Sequence, residues 1–129
     1  MEEKELVVCD SDVLIEVIDR NNKKVLDFLI KLGTENLCIS SVTYSEIIFG
    51  AVSKLHYFKL LPELEKFTLI PIDTQIDKLH RDLVQRYSLT HKLSVQDALI
   101  AATALYFEIP LYSLNKKDFR FIEGLILIS

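Results

Sequence analysis

Hydrophobic positions along the chain fall into short unbroken runs that alternate with stretches of helical spacing. Residues 5–9 (ELVVC) form a brief valine-containing run that stops at Asp10-Ser11-Asp12, which predicts a buried strand followed by a helix-capping turn. A helix begins with residues 13–18. Helical spacing returns over 23–32, where Val25, Leu26, Leu29, Ile30 and Leu32 are apolar and Gly33 is placed as the stop. Residues 37–40 (LCIS) predict a second strand. Residues 42–61 predict two helices, broken near Gly50 and ended by Pro62. Residues 68–72 read as a third strand, and Pro71 points to a sheet edge. Residues 73–87 predict a long amphipathic helix with Ile76, Leu79, Leu83 and Val84 on one face. After Asp97, residues 94–107 are apolar on nearly every side, which predicts a central buried helix. A fourth strand (110–114), a short helical turn (118–122) and a closing strand (125–128) complete the chain.

Short buried strands alternating with helices imply a parallel sheet covered on both faces. The expected fold is α/β: a three-layer α/β/α domain around a short parallel sheet of four to five strands. With 129 residues, one domain over residues 1–129 is expected, long enough to bury a core. Half the residues are hydrophobic, with only three glycines and three prolines, which excludes disordered and collagen-like chains. The charged opening Met-Glu-Glu-Lys-Glu argues against a signal peptide. The apolar stretch 98–107 is about half the roughly 20 residues needed to cross a bilayer. No membrane association is expected, and the cytoplasm is the expected compartment. Cys9 and Cys38 lie in separate apolar runs and read as buried free thiols rather than a disulfide or zinc site.

A net charge of −4 by itself argues against a polyanionic partner. Setting aside four site carboxylates leaves 15 acidic against 15 basic residues, a neutral remainder that neither demands nor forbids one.

Ligands of open parallel sheets bind beyond the carboxyl ends of the strands, where strand order reverses. Asp10 follows the first strand, and Ser113, Asn115 and Asp118 follow the fourth; if these strands are neighbours, both acids overlook one crevice. Glu46, in the helix after the second strand, and Asp97, at the start of the buried helix, can reach the same end. Each has a local alternative. Asp10 and Asp12 suit helix capping. Thr43-Tyr44-Ser45-Glu46 matches a capping box, and Ser94-Val95-Gln96-Asp97 matches its acidic form. Asn115-Lys116-Lys117-Asp118 is ordinary turn chemistry. The combination carries more than any member. An unpaired carboxylate beside the apolar run 98–104 is costly, and converging carboxylates repel one another unless a cation is present. Hard oxygen donors suit Mg2+ or Mn2+, which can polarise a phosphate oxygen and activate water.

Four segments in this order resemble the PIN-domain family, and within it the VapC-like ribonuclease toxins: residues 7–15 (VVCDSDVLI), 39–47 (ISSVTYSEI), 97–104 (DALIAATA) and 113–119 (SLNKKDF). The third is the most specific, and the resemblance spans nearly the whole chain. Asp12 departs from the pattern, where relatives more often carry Asn or Ser, and capping is its favoured role. The resemblance implies an Mg2+-dependent endoribonuclease, with Mn2+ able to substitute. Asp10, Glu46 and Asp97 would hold the metal and Asp118 would complete the acidic cluster. Ser113, Asn115 and Asp12 would order that shell by hydrogen bonds. Lys116, Lys117 and Arg120 are candidates for RNA phosphate contact, with Arg81, Arg86, His91 and Lys92 a second group; solvated loop cations are the alternative.

Residues 44–61 carry apolar side chains on more than one helix face, including Tyr44, Ile48, Phe49, Leu55, Tyr57 and Phe58. Surplus apolar surface often marks an interface, although a covered core helix has the same pattern. The family resemblance implies a homodimer and a groove for an antitoxin protein here.

A haloacid-dehalogenase-type phosphatase would also place Asp-x-Asp after a buried strand, but matches only the opening motif. A PIN-fold RNA-processing nuclease and a non-catalytic binding module are further alternatives; no motif acid is missing, which weighs against the module. Nucleophile-elbow, P-loop and dinucleotide signatures are absent. His56, His80 and His91 form no triad or zinc pattern and are expected at the surface or facing a partner.

Overall fold

The computed structural model describes residues 5–128; the charged opening at residues 1–4 lies outside the described residues. Strand β1 (Val7–Cys9) leads into helices α1 (Ser11–Ile18) and α2 (Lys23–Leu32). Strand β2 (Leu37–Ser40) is followed by α3 (Ser41–Phe49) and α4 (Lys54–Leu64). Strand β3 (Thr68–Ile70) precedes α5 (Thr74–His91) and α6 (Val95–Phe107), and strands β4 (Leu111–Tyr112) and β5 (Leu127–Ile128) close the fold.

All pairings are parallel, in the order β3-β2-β1-β4-β5. The chain therefore winds outward to one edge from β1 and then crosses to β4 on the other side. Reversal of strand order falls between β1 and β4, the neighbour relationship on which a common crevice depends. β3 lies at an edge as expected, but it ends at Ile70, so Pro71 lies just beyond the strand rather than within it.

Side chains alternate across the sheet into two cores. Val7, Cys9, Leu37 and Ile39 face one core with α1, α2, Ile47 of α3, and Leu60 and Leu64 of α4. Val8 and Leu111 face the other with Ile76 and Leu83 of α5 and the alanine-rich centre of α6. This is the expected α/β/α layering. Small residues at Ala98, Ala101, Ala102 and Ala104 are all buried, which lets α6 lie close to the sheet and α5. Thr103, fully buried among them, satisfies its hydroxyl by donating to the Leu99 carbonyl at 2.8 Å. The helix is central only in its middle, since Val95, Tyr106 and Phe107 at its ends are exposed.

Gly33 ends α2 with φ +97°, a conformation that favours glycine, and a Cβ there would stand 2.7 Å from Asn36 Nδ2. Pro62 does not end α4 as expected but lies inside its last turn. Proline removes only its own N–H there, and both Pro62 and the preceding-turn residue Phe58 are exposed, so water can serve the freed carbonyl. α5 runs on past Tyr87 to His91 before Lys92 closes it at φ +53°. The turn near the C-terminus is a 3-10 turn at Lys116–Asp118, earlier than the expected 118–122. Cys9 and Cys38 are buried and free. Among the described residues no helix is long and apolar enough to cross a membrane.

Candidate functional site

The site is built where β1 and β4 end side by side. Cys9 pairs with Tyr112, and the Asp10 amide donates to the Tyr112 carbonyl at 2.9 Å, which sets Asp10 beside Ser113. Asp10 caps α1: one carboxylate oxygen accepts from the Ser11 amide at 2.8 Å. The other accepts from the buried Ser113 hydroxyl, also at 2.8 Å. Capping and membership of the acidic site are therefore not exclusive. With Asp10 only 7% exposed, burial and then the neighbouring Asp12 charge push its pKa up to about 7. Asp97 adds to the rise, while the bonds from Ser113 and Ser11 oppose it.

Asp12 is not the helix cap. It sits inside the first turn of α1 and accepts from the Leu114 amide at 3.2 Å, just beyond β4. Asp10 takes the cap position because β1 ends at Cys9, and Asp12 is then turned toward β4. Its pKa is raised, chiefly by burial, with the Leu114 amide opposing and Asp118 contributing.

Glu46 projects from the middle of α3 and accepts from the Ser11 hydroxyl at 3.0 Å. The capping-box reading of residues 43–46 does not hold. β2 runs directly into α3, so Ser40 is the cap, its hydroxyl oxygen accepting from the Val42 amide at 3.2 Å. Thr43 is instead buried within the helix, its hydroxyl without a hydrogen-bond partner among the described residues.

Asp97 lies in the first turn of α6, where the Ser94 hydroxyl oxygen accepts from its amide at 3.0 Å. This forms the serine half of the second expected capping box. Burial and then Asp118 push the Asp97 pKa up to about 6; Glu46 and Asp12 add to the rise and the Ser94 side chain opposes it. Asp118 is exposed and held by Asn115, whose Nδ2 donates to it at 2.6 Å. Fully buried Phe119 anchors the next position, and the Asn115 amide donates to Ser113 Oγ at 3.0 Å.

The negative charges felt by Asp10, Asp12 and Asp97 thus come from acids on β1–α1, α3, α6 and the segment after β4, which places these segments' carboxylates near one another. Among the described residues no three His, Cys, Asp or Glu side chains already converge as a metal cage. The donor set consists of carboxylate oxygens with hydroxyl and amide oxygens around them, which fits a hard cation such as Mg2+ or Mn2+.

Ser11 was not singled out from sequence, yet it joins Asp10 to Glu46. The available signal was a hydroxyl directly after the first acid. Lys116, Lys117 and Arg120 are exposed on the segment that carries Asp118. Much of the second basic group is engaged elsewhere: Arg81 pairs with Asp77 at 3.2 Å, and Arg86 pairs with Glu123 at 3.2 Å and Asp82 at 3.6 Å. His56 is half-buried against Asp19 at 2.8 Å, and His80 is half-buried with neither ring nitrogen hydrogen-bonded among the described residues. Only His91 is fully at the surface as expected.

The apolar segment divides. Tyr44 and Ile48 are half-buried against the core under α1 and α2, because the same face of α3 that carries Ile47 inward takes them with it. Phe49, Leu55 and Phe58 stand 92%, 82% and 63% exposed, with Tyr57 less so.

A PIN domain family model matches residues 7–124. Among curated protein sequences none matches the chain. Of solved structures, a toxin–antitoxin complex from Klebsiella pneumoniae is similar at 27% identity and a TM-score of 0.80, over 95% of this chain and 96% of that one. VapBC2 from Rickettsia felis, bound to a DNA fragment from its promoter, gives 23% identity, TM-score 0.82 and coverage of 95% and 97%. DNA-bound VapBC from Salmonella typhimurium gives 20% identity, TM-score 0.84 and coverage of 96% and 97%. At these last two identities the likeness is one of fold.

Proposed function

The chain belongs to the PIN domain family, whose members are generally nucleases, and we propose that it is an Mg2+-dependent endoribonuclease, the toxin of a toxin–antitoxin pair. The observation that supports this reading is the gathering of acids from separate segments at the switch point of the sheet, where Ser113 bonds Asp10, the Leu114 amide bonds Asp12 and Ser11 bonds Glu46. Asp10, Glu46 and Asp97 would hold the cation, with Asp118 completing the acidic cluster. A divalent cation there supplies charge neutralisation and Lewis acidity toward a phosphodiester.

The chain's own groups do the rest. Ser113 fixes one oxygen of Asp10, Ser11 orients Glu46, and Asn115 orients Asp118. Burial that raises the pKa of Asp10 and Asp97 also makes each carboxylate gain more from a cation. Lys116, Lys117 and Arg120 lie where an RNA backbone approaching Asp118 would meet positive charge.

An antitoxin partner is supported by the toxin–antitoxin relative at 27% identity. The exposed Phe49, Leu55 and Phe58 support a homodimer or antitoxin surface along α3 and α4. Light scattering should give a dimer that Leu55→Glu with Phe58→Glu reduces to a monomer; a wild-type monomer removes the dimer. Cytoplasmic action follows from this reading. The activity itself is tested by incubating purified protein with a panel of structured RNAs. Cleavage in Mg2+ that EDTA abolishes is expected, and cleavage undiminished by EDTA overturns the metal-dependent reading.

A further inference from the structure

The two segments that carry Asp97 and Asp118 meet a second time, through aromatic rings. His91, which ends α5 six positions before Asp97, stacks on Phe121, three positions after Asp118. Their centroids are 4.2 Å apart and their planes 14° from parallel. Tyr87 meets both rings, tilted to Phe121 at 5.2 Å and edge-on to His91 at 5.7 Å. Thr90 Oγ1 lies 2.8 Å from His91 Nδ1, which fixes the imidazole in its plane. Phe121 is half-buried against the α5–α6 core, whereas His91 is exposed. The result is an ordered, outward-facing ring backed by a second ring.

We propose that the stacked His91–Phe121 pair is a platform on which a base of single-stranded RNA lies beside the acidic site. The inference rests on the nucleic-acid reading of that site and names how its substrate is held. Three residues span at most about 11 Å of chain, so Phe121 is within that distance of Asp118 along the backbone. The platform is thus joined to the segments that carry Asp97 and Asp118 by short stretches of chain, and a single bound strand is taken to span both. Stacking on aromatic faces is the usual means of holding unpaired bases, and it tolerates any base. Cations suit the same path: Lys92 adjoins His91, and Arg120 adjoins Phe121. Arg86, paired with Glu123, lies over the Tyr87 ring at 5.5 Å from its centroid.

The test is binding, measured apart from cleavage. A short single-stranded RNA carrying 2-aminopurine is titrated with wild-type protein, His91→Ala and His91→Phe, with Ca2+ replacing Mg2+. Quenching of 2-aminopurine by the wild type is expected, with affinity falling roughly fivefold or more in His91→Ala, the scale of losing one base–aromatic stack. His91→Phe should restore it, because the ring rather than its charge is used. An RNA with an abasic site at the quenched position should bind wild type and His91→Ala alike. Equal binding of the base-containing RNA by wild type and His91→Ala overturns the platform, as does failure of phenylalanine to rescue. His91-dependent stacking without any RNA cleavage in Mg2+ would leave the platform standing and remove the nuclease reading instead.

Discussion

Ser113 Oγ lies 2.8 Å from Asp10 Oδ2, a buried hydrogen bond between residues 103 positions apart. It ties the end of β4 to the end of β1 across the reversal in strand order, and it partly offsets the burial that raises the Asp10 pKa. Local order in the site and cohesion of the sheet centre thus depend on the same bond.

Ser113→Ala removes that donor and leaves a buried carboxylate with one partner fewer. Unfolding by urea should show a loss of about 1–3 kcal/mol, the scale for orphaning a buried polar group. Full retention of wild-type stability would mean that the bond contributes little to the fold.

Asp12→Asn and Asp12→Ala should behave differently. Asparagine keeps an acceptor for the Leu114 amide, whereas alanine leaves that amide without its partner. The alanine variant should be the less stable by about 1 kcal/mol. Equal melting temperatures for the two variants would mean that the Leu114 contact adds nothing to stability.

Without added metal, stability should fall as pH rises through the acidic range. The folded pKa of Asp10, about 7, and that of Asp97, about 6, lie above their ordinary value of 3.8. The folded state therefore binds more protons than the unfolded state between about pH 4 and 7. The contribution from these two groups is present below pH 4 and is lost as pH approaches 7. Asp10→Asn should be more stable than wild type at pH 7.5 in EDTA, with the gap closing toward pH 4.5. A gap that is constant across this range would contradict the raised Asp10 pKa.

The Cys9 thiol is buried, and burial followed by Cys38 and Asp10 pushes its pKa well above the ordinary range. Native protein should leave Cys9 unmodified by iodoacetamide, and urea should expose it. Peptide mapping showing rapid native alkylation at Cys9 would indicate that β1 opens readily.

Pattern along the chain was enough to place the strands and most of the helices, because apolar runs and helical spacing are local properties. The stop at Gly33 followed from glycine alone, and the edge position of β3 was expected although Pro71 lies just past its end. What escaped depends on contacts between distant residues. Pro62 is tolerated because the last turn of α4 faces water around Phe58. The role of Asp12 is set by Leu114, and the capping box at 43–46 fails because β2 enters α3 without a loop. Tyr44 and Ile48 are half-buried against the core, and a local pattern does not show how α3 is turned. For the acids the position is intermediate. Their order and types were legible, whereas the burial of Asp10 and the Ser11 link to Glu46 appear only once β1, β4 and α3 are together.

The most direct test of the acidic site compares Mg2+-dependent RNA cleavage by wild type and Asp97→Asn, after circular dichroism has shown both to be folded. Cleavage by the variant should fall about a hundredfold or more, the scale of removing one group that stabilises charge in a reacting site. Full activity of folded Asp97→Asn in Mg2+ would contradict the account and place the chemistry elsewhere on the molecule.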